Sequence, residues 1–543
     1  MPLVNRRNAL GVLGAAGATA AGLLWWRSGS DGGKSGAAAA QPLGHGAPKG
    51  GPGPVPSASS APPAVVPATR RPVPPADARR IAAENAKPGT TAWKPGRNGT
   101  RLGNDVAHQI KGYTSETSIG LGERIDFHMS VNPGGAYSIG IYRLGDYGGA
   151  GARHVLSSPR LSGVPGNAPK LDADCGMLSC DWPVGWTLEV PKDWTSGTYL
   201  AVFDDERGNR NYTAFVVRDD GRSADFLVVL PFSTYQAYNQ YPLDGRTGKS
   251  LYYGYGPDGK NVYPARARAV SFDRPFMGDG MPPTRFDLDQ SAIAWMERSG
   301  FDVTYASTVD IETRRIDPTW YRALVFPGHD EYWSTPMREV VEEAHREGVN
   351  QAWLTANNMY WHVRFDKNER GVANRVMHCW REDRDPGASL LSAPTDMWRR
   401  IRRPEQEFLG IQYNGIVASP TPLRVSSSWH WLWAGTGVRD GDTIDKVVGG
   451  EADGIEAGMP TPPGARQALL AESPYVLRSG ARRTQNTSLY ESPRGTLMFC
   501  AGTFNWSLAL NHPKYRDERI QRATHNLFEQ LRTAGRSDTG GHK

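Results

Sequence analysis

Asp225-Phe226-Leu227-Val228-Val229-Leu230-Pro231 holds five consecutive apolar residues closed by a proline, with no polar position among them. A strand with one wet face alternates apolar and polar residues, whereas a strand covered on both faces does not. The run therefore predicts a central strand of a parallel sheet, and the sequence around it supplies the rest of such a sheet. Downstream, Leu288 to Ser299 reads as a helix, with Gly300 where a C-terminal cap glycine belongs. A short strand follows at Asp302-Val303-Thr304-Tyr305, then a second buried run from Ala323 to Gly328. Pro336 to Glu347 is a charged amphipathic helix, and Ala352-Trp353-Leu354-Thr355 is the next strand. A strand from Gly495 to Gly502 and a helix from Glu518 to Arg532 close the series. This alternation predicts a three-layer α/β part over residues 224–535, of the glutamine-amidotransferase or flavodoxin-like type.

Upstream the texture differs. Between Gly112 and Arg218 short runs are broken by Gly and Pro, as in Ile125 to Val131, Tyr137 to Arg143, Gly197 to Phe203 and Asn211 to Val217. Their alternation predicts half-buried strands of an Ig-like antiparallel β-sandwich over residues 100–220. The fold class expected is thus a multidomain α+β chain, a sandwich followed by an α/β part. Trp182, Trp186 and Trp194 read either as core aromatics or as a carbohydrate-stacking surface. Cys175 and Cys180 are near enough to pair outside the cytoplasm, while Cys379 and Cys500 read as buried thiols.

The N-terminus carries an address. Arg6-Arg7 precedes an uncharged Gly/Ala/Leu run ending at Trp26, the pattern of a twin-arginine export signal over residues 1–40. Ala37 to Ala40 offers a small-residue cleavage site, and an uncleaved N-terminal anchor is the alternative, since Ala9 to Trp26 only just reaches spanning length. Residues 41–95 are rich in Pro, Gly and Ala and are expected to form a disordered linker. Export by this route, to a secreted or cell-surface location, with transient membrane contact through the signal, is the expectation. The 62 basic residues exceed the 56 acidic ones by six and are spread along the chain, so no nucleic-acid partner is indicated. Oligomeric state is not legible.

In an open α/β sheet, ligands bind at the carboxyl ends of the strands. Three strands here end in polar or aromatic clusters, at Phe232 to Asn239, Gly328 to Ser334 and Thr355 to Trp361. No GxSxG elbow, HExxH, Walker loop or strand-linked GxGxxG occurs. The chemical material is oxygen-rich: Tyr238, Tyr252 and Glu331, with His329 and Asn357. Phenolate and carboxylate oxygens are hard donors suited to a hard cation such as ferric iron. Tyr235, Tyr253 and Tyr255 stand beside the two chosen tyrosines and are alternatives to them. His329 could instead cap the following helix or hydrogen-bond Asn357.

Several stretches together resemble a known family. Thr234 to Asn239, Ser250 to Tyr252, Val270 to Pro275, Gly328 to Ser334 and Asn357 to Trp361 are similar, in order, to the large (beta) subunit of N,N-dimethylformamidase. Asp396-Met397-Trp398-Arg399 and Ala501 to Trp506 extend the resemblance, as do Gly112-Tyr113-Thr114 and Ile141 to Arg153 in the sandwich. The resemblance implies an amidohydrolase with mononuclear ferric iron held by Tyr238, Tyr252 and Glu331. His329, Glu331 and Asn357 would then take catalytic or substrate-orienting parts, and the substrate would be a small-molecule amide. Gly348-Val349-Asn350 replaces the family's Gly-Gly turn, and Arg381 stands where a lysine is expected. The family's large subunit also works with a small one, which nothing in this chain supplies. These departures, with the export signal, point to an extracellular amide rather than dimethylformamide itself. A non-catalytic envelope protein whose sandwich binds glycan is the competing expectation.

Overall fold

The computed structural model describes residues 76–534, apart from 78 and 279–282. The export signal expected over 1–40, and the part of the expected linker up to residue 75, lie outside the described residues. Residues 80–95 do not continue that linker. Helix α1 (Arg80–Asn85) forms there, and Ile81 and Trp93 are buried. These two apolar side chains supply buried area that offsets the ordering of a segment whose composition reads as linker.

The expected sandwich strands form. Gly135–Leu144, Gly197–Asp205 and Asn209–Arg218 pair antiparallel in one sheet, and Lys111–Thr114, Arg124–Ser130 and Val184–Glu189 form another. Ile125, Phe127, Ile141, Phe203 and Phe215 belong to one buried cluster fed by both sheets. Trp186 stacks on Phe127 with ring centroids 5.5 Å apart, and Trp194 on Tyr199 at 5.1 Å. Trp182 is buried as well. All three therefore serve packing. Cys175 and Cys180 are both buried and unbonded.

The decisive run becomes strand β1 (Phe226–Leu230), buried at every position as an unbroken apolar sequence requires. With β2 (Val303–Ser307), β3 (Ala323–Phe326), β4 (Asn350–Trp353), β5 (Arg466–Val476), β6 (Arg482–Glu491) and β7 (Leu497–Cys500) it forms a seven-stranded sheet in the order β2-β1-β3-β4-β7-β6-β5. The first five strands of that order are parallel. β6 and β5 add a long antiparallel hairpin at one edge. That hairpin, unremarked in the sequence, has polar residues at many of its positions, so no apolar run announces it. The fold is mixed α+β. Helix α2 (Phe232–Tyr238) follows β1 directly; α3 (Phe286–Arg298), α4 (Thr335–Arg346) and α5 (Glu518–Thr533) fall where the helical patterns place them. Gly300 adopts a φ of +79°, a left-handed conformation that favours glycine at the end of α3. No helix of the described residues is long and apolar enough to cross a membrane.

A buried ion pair joins the sheet of Gly135–Leu144 to helix α3. Arg143 Nη2 and Nη1 donate to Glu297 Oε1 and Oε2 at 2.7 and 2.9 Å, with both side chains fully buried. Tyr305 Oη and Asn85 Nδ2 add bonds of 2.6 Å each to the same carboxylate. Breaking such a pair leaves a charge in a low-dielectric interior. Glu297→Ala is accordingly expected to lower the unfolding free energy by about 3–5 kcal/mol, read by denaturant titration. A loss below about 1 kcal/mol would show that Arg143 finds water or another partner.

Candidate functional site

The site is built at the carboxyl edge of β1, β3 and β4. Tyr238 is the last residue of α2, not the end of a strand, because the chain turns helical immediately after β1. The Ser250-Leu251-Tyr252 segment is tied to that helix end by Leu251 N–H donating to the Ala237 carbonyl at 3.0 Å. Ser250 Oγ accepts the N–H groups of Tyr252 and Tyr253 at 3.2 and 3.1 Å and so shapes the turn. Buried Arg274 clamps both pieces. It donates to the carbonyls of Lys249 (3.0 Å), Gln236 (3.2 Å) and Asn239 (2.7 Å). Arg274, from the Val270–Pro275 motif, thus positions the tyrosines without touching their hydroxyls.

Glu331 and His329 come from the segment after β3. Glu331 N–H donates to Thr234 Oγ1 of α2 at 2.9 Å, and Thr355 Oγ1 donates to the Gly328 carbonyl at 2.6 Å. Gly328 must be glycine: a Cβ there would lie 2.1 Å from Asp289 Oδ1. Asn357, just past β4, has a φ of +56°, which Asn tolerates better than most residues.

Four oxygens from three side chains converge. Tyr238 Oη is 2.7 Å from Glu331 Oε2, Tyr252 Oη is 2.5 Å from Glu331 Oε1, and the two hydroxyls are 3.0 Å apart. The rings stack with centroids 4.5 Å apart. Each phenol has one proton. If both go to the carboxylate, none is left for the hydroxyl–hydroxyl contact. Such a group of hard oxygens suits a cation held among them, so the residues fit the metal set inferred for this family. Tyr235 is buried against Phe232 and Phe286, away from the hydroxyl pair. Among the described residues no cluster of three His, Cys, Asp or Glu offers a metal site.

Around this core, His329 Nε2 lies 3.3 Å from Glu331 Oε2 and 3.4 Å from Glu451 Oε2, without hydrogen-bond geometry to either. Asn357 does not bond His329. Its Nδ2 donates to Glu451 Oε2 and its N–H to Asp453 Oδ1, both at 2.7 Å, while its own Oδ1 has no partner among the described residues. His329 does not cap the following helix either, since Ser334 takes that position. Arg381 lies over the Tyr252 and Trp361 rings at 4.4 and 4.3 Å and donates to Tyr332 Oη at 2.7 Å.

Burial dominates the electrostatics. It pushes the Tyr238 and Tyr252 hydroxyls well above the usual phenol value, and the neighbouring Glu331 carboxyl adds to the shift. Glu331 is raised by burial, against hydrogen bonds from the two phenols. Glu451 is raised well above the carboxylate range by burial and then by Glu331. His329 is held well below its ordinary value by burial and by Arg285, so it is neutral near pH 7. Glu451 and Asp453 were invisible in the sequence. The available signal was two acids at i and i+2, hence on one face of a strand, just after the apolar Val447-Val448.

With this geometry in view, comparison with known proteins becomes informative. A family model described as N,N-dimethylformamidase beta subunit-like, C-terminal, matches residues 138–518. The chain belongs to this family. None of the curated proteins matches it. Among solved structures, a fungal alcohol oxidase in complex with copper aligns over 23% of this chain and 23% of its own at 19% identity, with a TM-score of 0.13. The superoxide reductase (neelaredoxin) of Ignicoccus hospitalis aligns over 20% of this chain and 80% of its own at 14% identity, also with a TM-score of 0.13. The chain thus spans under a quarter of the oxidase, and at these TM-scores neither likeness bears on its chemistry.

Behind the tyrosine–glutamate cluster sits Asp289, fully buried beside the Tyr235 hydroxyl. Burial raises it from 3.8 to about 8. Between those values the folded state keeps a proton that the unfolded state releases. Its contribution is therefore most favourable below the unfolded value and is lost as pH rises to about 8. Asp289→Asn, which keeps the shape without the charge, is expected to match the parent in unfolding free energy at about pH 4 and to exceed it at about pH 8. An offset equal at both pH values would assign the titration to another group.

Proposed function

We propose that this chain is an exported hydrolase of C–N amide bonds, whose Tyr238, Tyr252 and Glu331 hold one ferric iron. The observation that carries the reading is the convergence of two phenol oxygens and the Glu331 carboxylate through contacts of 2.5–3.0 Å, with a neutral histidine and a second buried carboxyl at their margin. Family membership supports the reaction class, and the paired arginines at Arg6-Arg7 support export. The same reading takes the N-terminal sheets as a sandwich buttressing a three-layer, flavodoxin-like α/β part.

Bound among those oxygens, iron would supply Lewis acidity toward an amide carbonyl. The chain's own residues do the rest. Asn357, fixed by Glu451 and Asp453, offers its free Oδ1 to an amide N–H of the substrate. His329 Nε2, neutral and without a hydrogen bond, takes the proton released as water adds to the carbonyl carbon. Glu451, protonated through its burial, gives a proton to the leaving nitrogen as the C–N bond breaks. The 3.4 Å separation of His329 Nε2 and Glu451 Oε2 lets the captured proton return to the carboxylate. Water adds, acid and amine leave, and both residues end as they began. The substrate class is a small N-substituted amide. The glycan-binding alternative loses its main support, because Trp182, Trp186 and Trp194 are spent on packing.

Chain purified after native export should carry one iron with a visible phenolate-to-iron absorption, and Tyr238→Phe and Glu331→Ala should each lose both. Glu451→Gln should keep the metal yet release amine from a panel of N-substituted amides about 10²–10⁴-fold more slowly. A colourless, metal-free chain would sink the proposal. Full activity in Glu451→Gln would remove that residue from the proton path.

A further inference from the structure

The sheet has a second functional-looking edge. Helix α4 carries the chain back from the carboxyl end of β3 to the amino end of β4, and the turn at Ser492–Arg494 leads into the amino end of β7. Between them, with residues 402–408 and Pro462–Ala465, opens a cavity of about 740 Å³. It therefore runs along α4 to the amino ends of β4 and β7, and it shares no lining residue with the tyrosine pair. Its size falls in the range of small-molecule sites.

Five arginines line it against two glutamates, Glu342 and Glu407. Arg338 and Arg403 share Glu342, at 2.7 and 2.9 Å, and both lie over the Trp398 ring, at 4.6 and 5.2 Å. Arg338 also donates to the carbonyls of Arg403 and Pro404. One carboxylate thus answers two guanidinium groups that are already held in place. Arg494 donates to the Arg346 carbonyl at 2.9 Å, and Arg346, Arg402 and Arg494 have no acidic partner among the described residues. Arg346, Arg402 and Arg494 are exposed and so screened by water when alone, but with Glu407 as the other acid in the lining they leave the cavity net positive, and guanidinium forks suit oxyanions.

The remaining wall is apolar, with Phe408, Tyr490 and three prolines. The buried His345 ring lies edge-on to Phe408 and Tyr490 and, held down to about 4 by burial, adds no charge near neutral pH. We infer that this cavity is a second binding site, for a small organic anion. Its carboxylate or phosphate meets Arg346, Arg402 and Arg494, and its apolar body lies on Phe408, Tyr490 and the prolines. The site does not depend on the amide hydrolysis proposed above.

Isothermal titration of the full chain with benzoate, phenyl phosphate, inorganic phosphate and benzyl alcohol tests it. At least one aromatic anion should bind, and which of the two binds more tightly tells carboxylate from phosphate. Benzyl alcohol should not bind, and inorganic phosphate should bind about tenfold more weakly or less. Affinity should fall with added salt. Arg402 and Arg494 are exposed, so Arg402→Gln with Arg494→Gln should leave the circular dichroism unchanged yet weaken anion binding about tenfold or more. Tyr238→Phe should leave it intact. No binding by either aromatic anion, equal binding of benzyl alcohol, or an unaffected double variant would overturn the site. Inorganic phosphate bound as tightly as phenyl phosphate would overturn the organic part of the assignment. Loss in Tyr238→Phe would move binding to the tyrosine pair and overturn it as well.

Discussion

Arg143 belongs to the strand Gly135–Leu144 and Glu297 to the last turn of α3, and neither side chain reaches water. In that low-dielectric setting each is tolerable only with the other in place, so the pair admits one arrangement of the two parts. Tyr305 from β2 and Asn85 from α1 complete the carboxylate's bonds, which brings four separate elements to one point. The consequences run along α3. Once Glu297 is held, the helix register places Asp289 two turns earlier against Gly328, and that contact leaves no room for a side chain at 328. The segment that carries His329 and Glu331 is thereby seated before any of its own site contacts are considered.

At the site, the same physics works toward a different end. Burial there raises carboxyls and phenols and lowers the histidine, so each group leans to its neutral form. A cluster of this kind is costly as a metal-free arrangement and economical around a cation, whose charge reverses the preference of every donor facing it. The cluster is also assembled from segments 213 residues apart, Tyr238 to Glu451, held by Arg274, Thr234 and Asn357. Its oxygens come together only when the chain has folded.

Much of the frame was legible because its signals are local. The apolar run at 226–230 could not be a half-wet strand, and Gly300 stood where a helix of its length must end. Tyr238, Tyr252 and Glu331 were nameable because their motifs stand in order along the chain, and the structure brings their oxygens together. Tyr235, equally plausible by spacing, faces Phe232 and Phe286. Where local texture misled, the cause was tertiary: residues 80–95 look like linker until Ile81 and Trp93 find a core to enter.

By itself, then, the sequence determined the apolar strands and amphipathic helices around the central sheet, its parallel character and the oxygen-rich set at its carboxyl edge. These rest on periodicity, composition and residue type, which act over a few neighbouring positions. Only the tertiary structure decided that Glu451 and Asp453 anchor Asn357, that Arg274 clamps the tyrosine loops, and that arginines from α4, residues 402–403 and the turn before β7 share one cavity. Those are contacts between residues far apart in the chain. Their partners are chosen by where the packed sheet places them, and no local pattern records that choice.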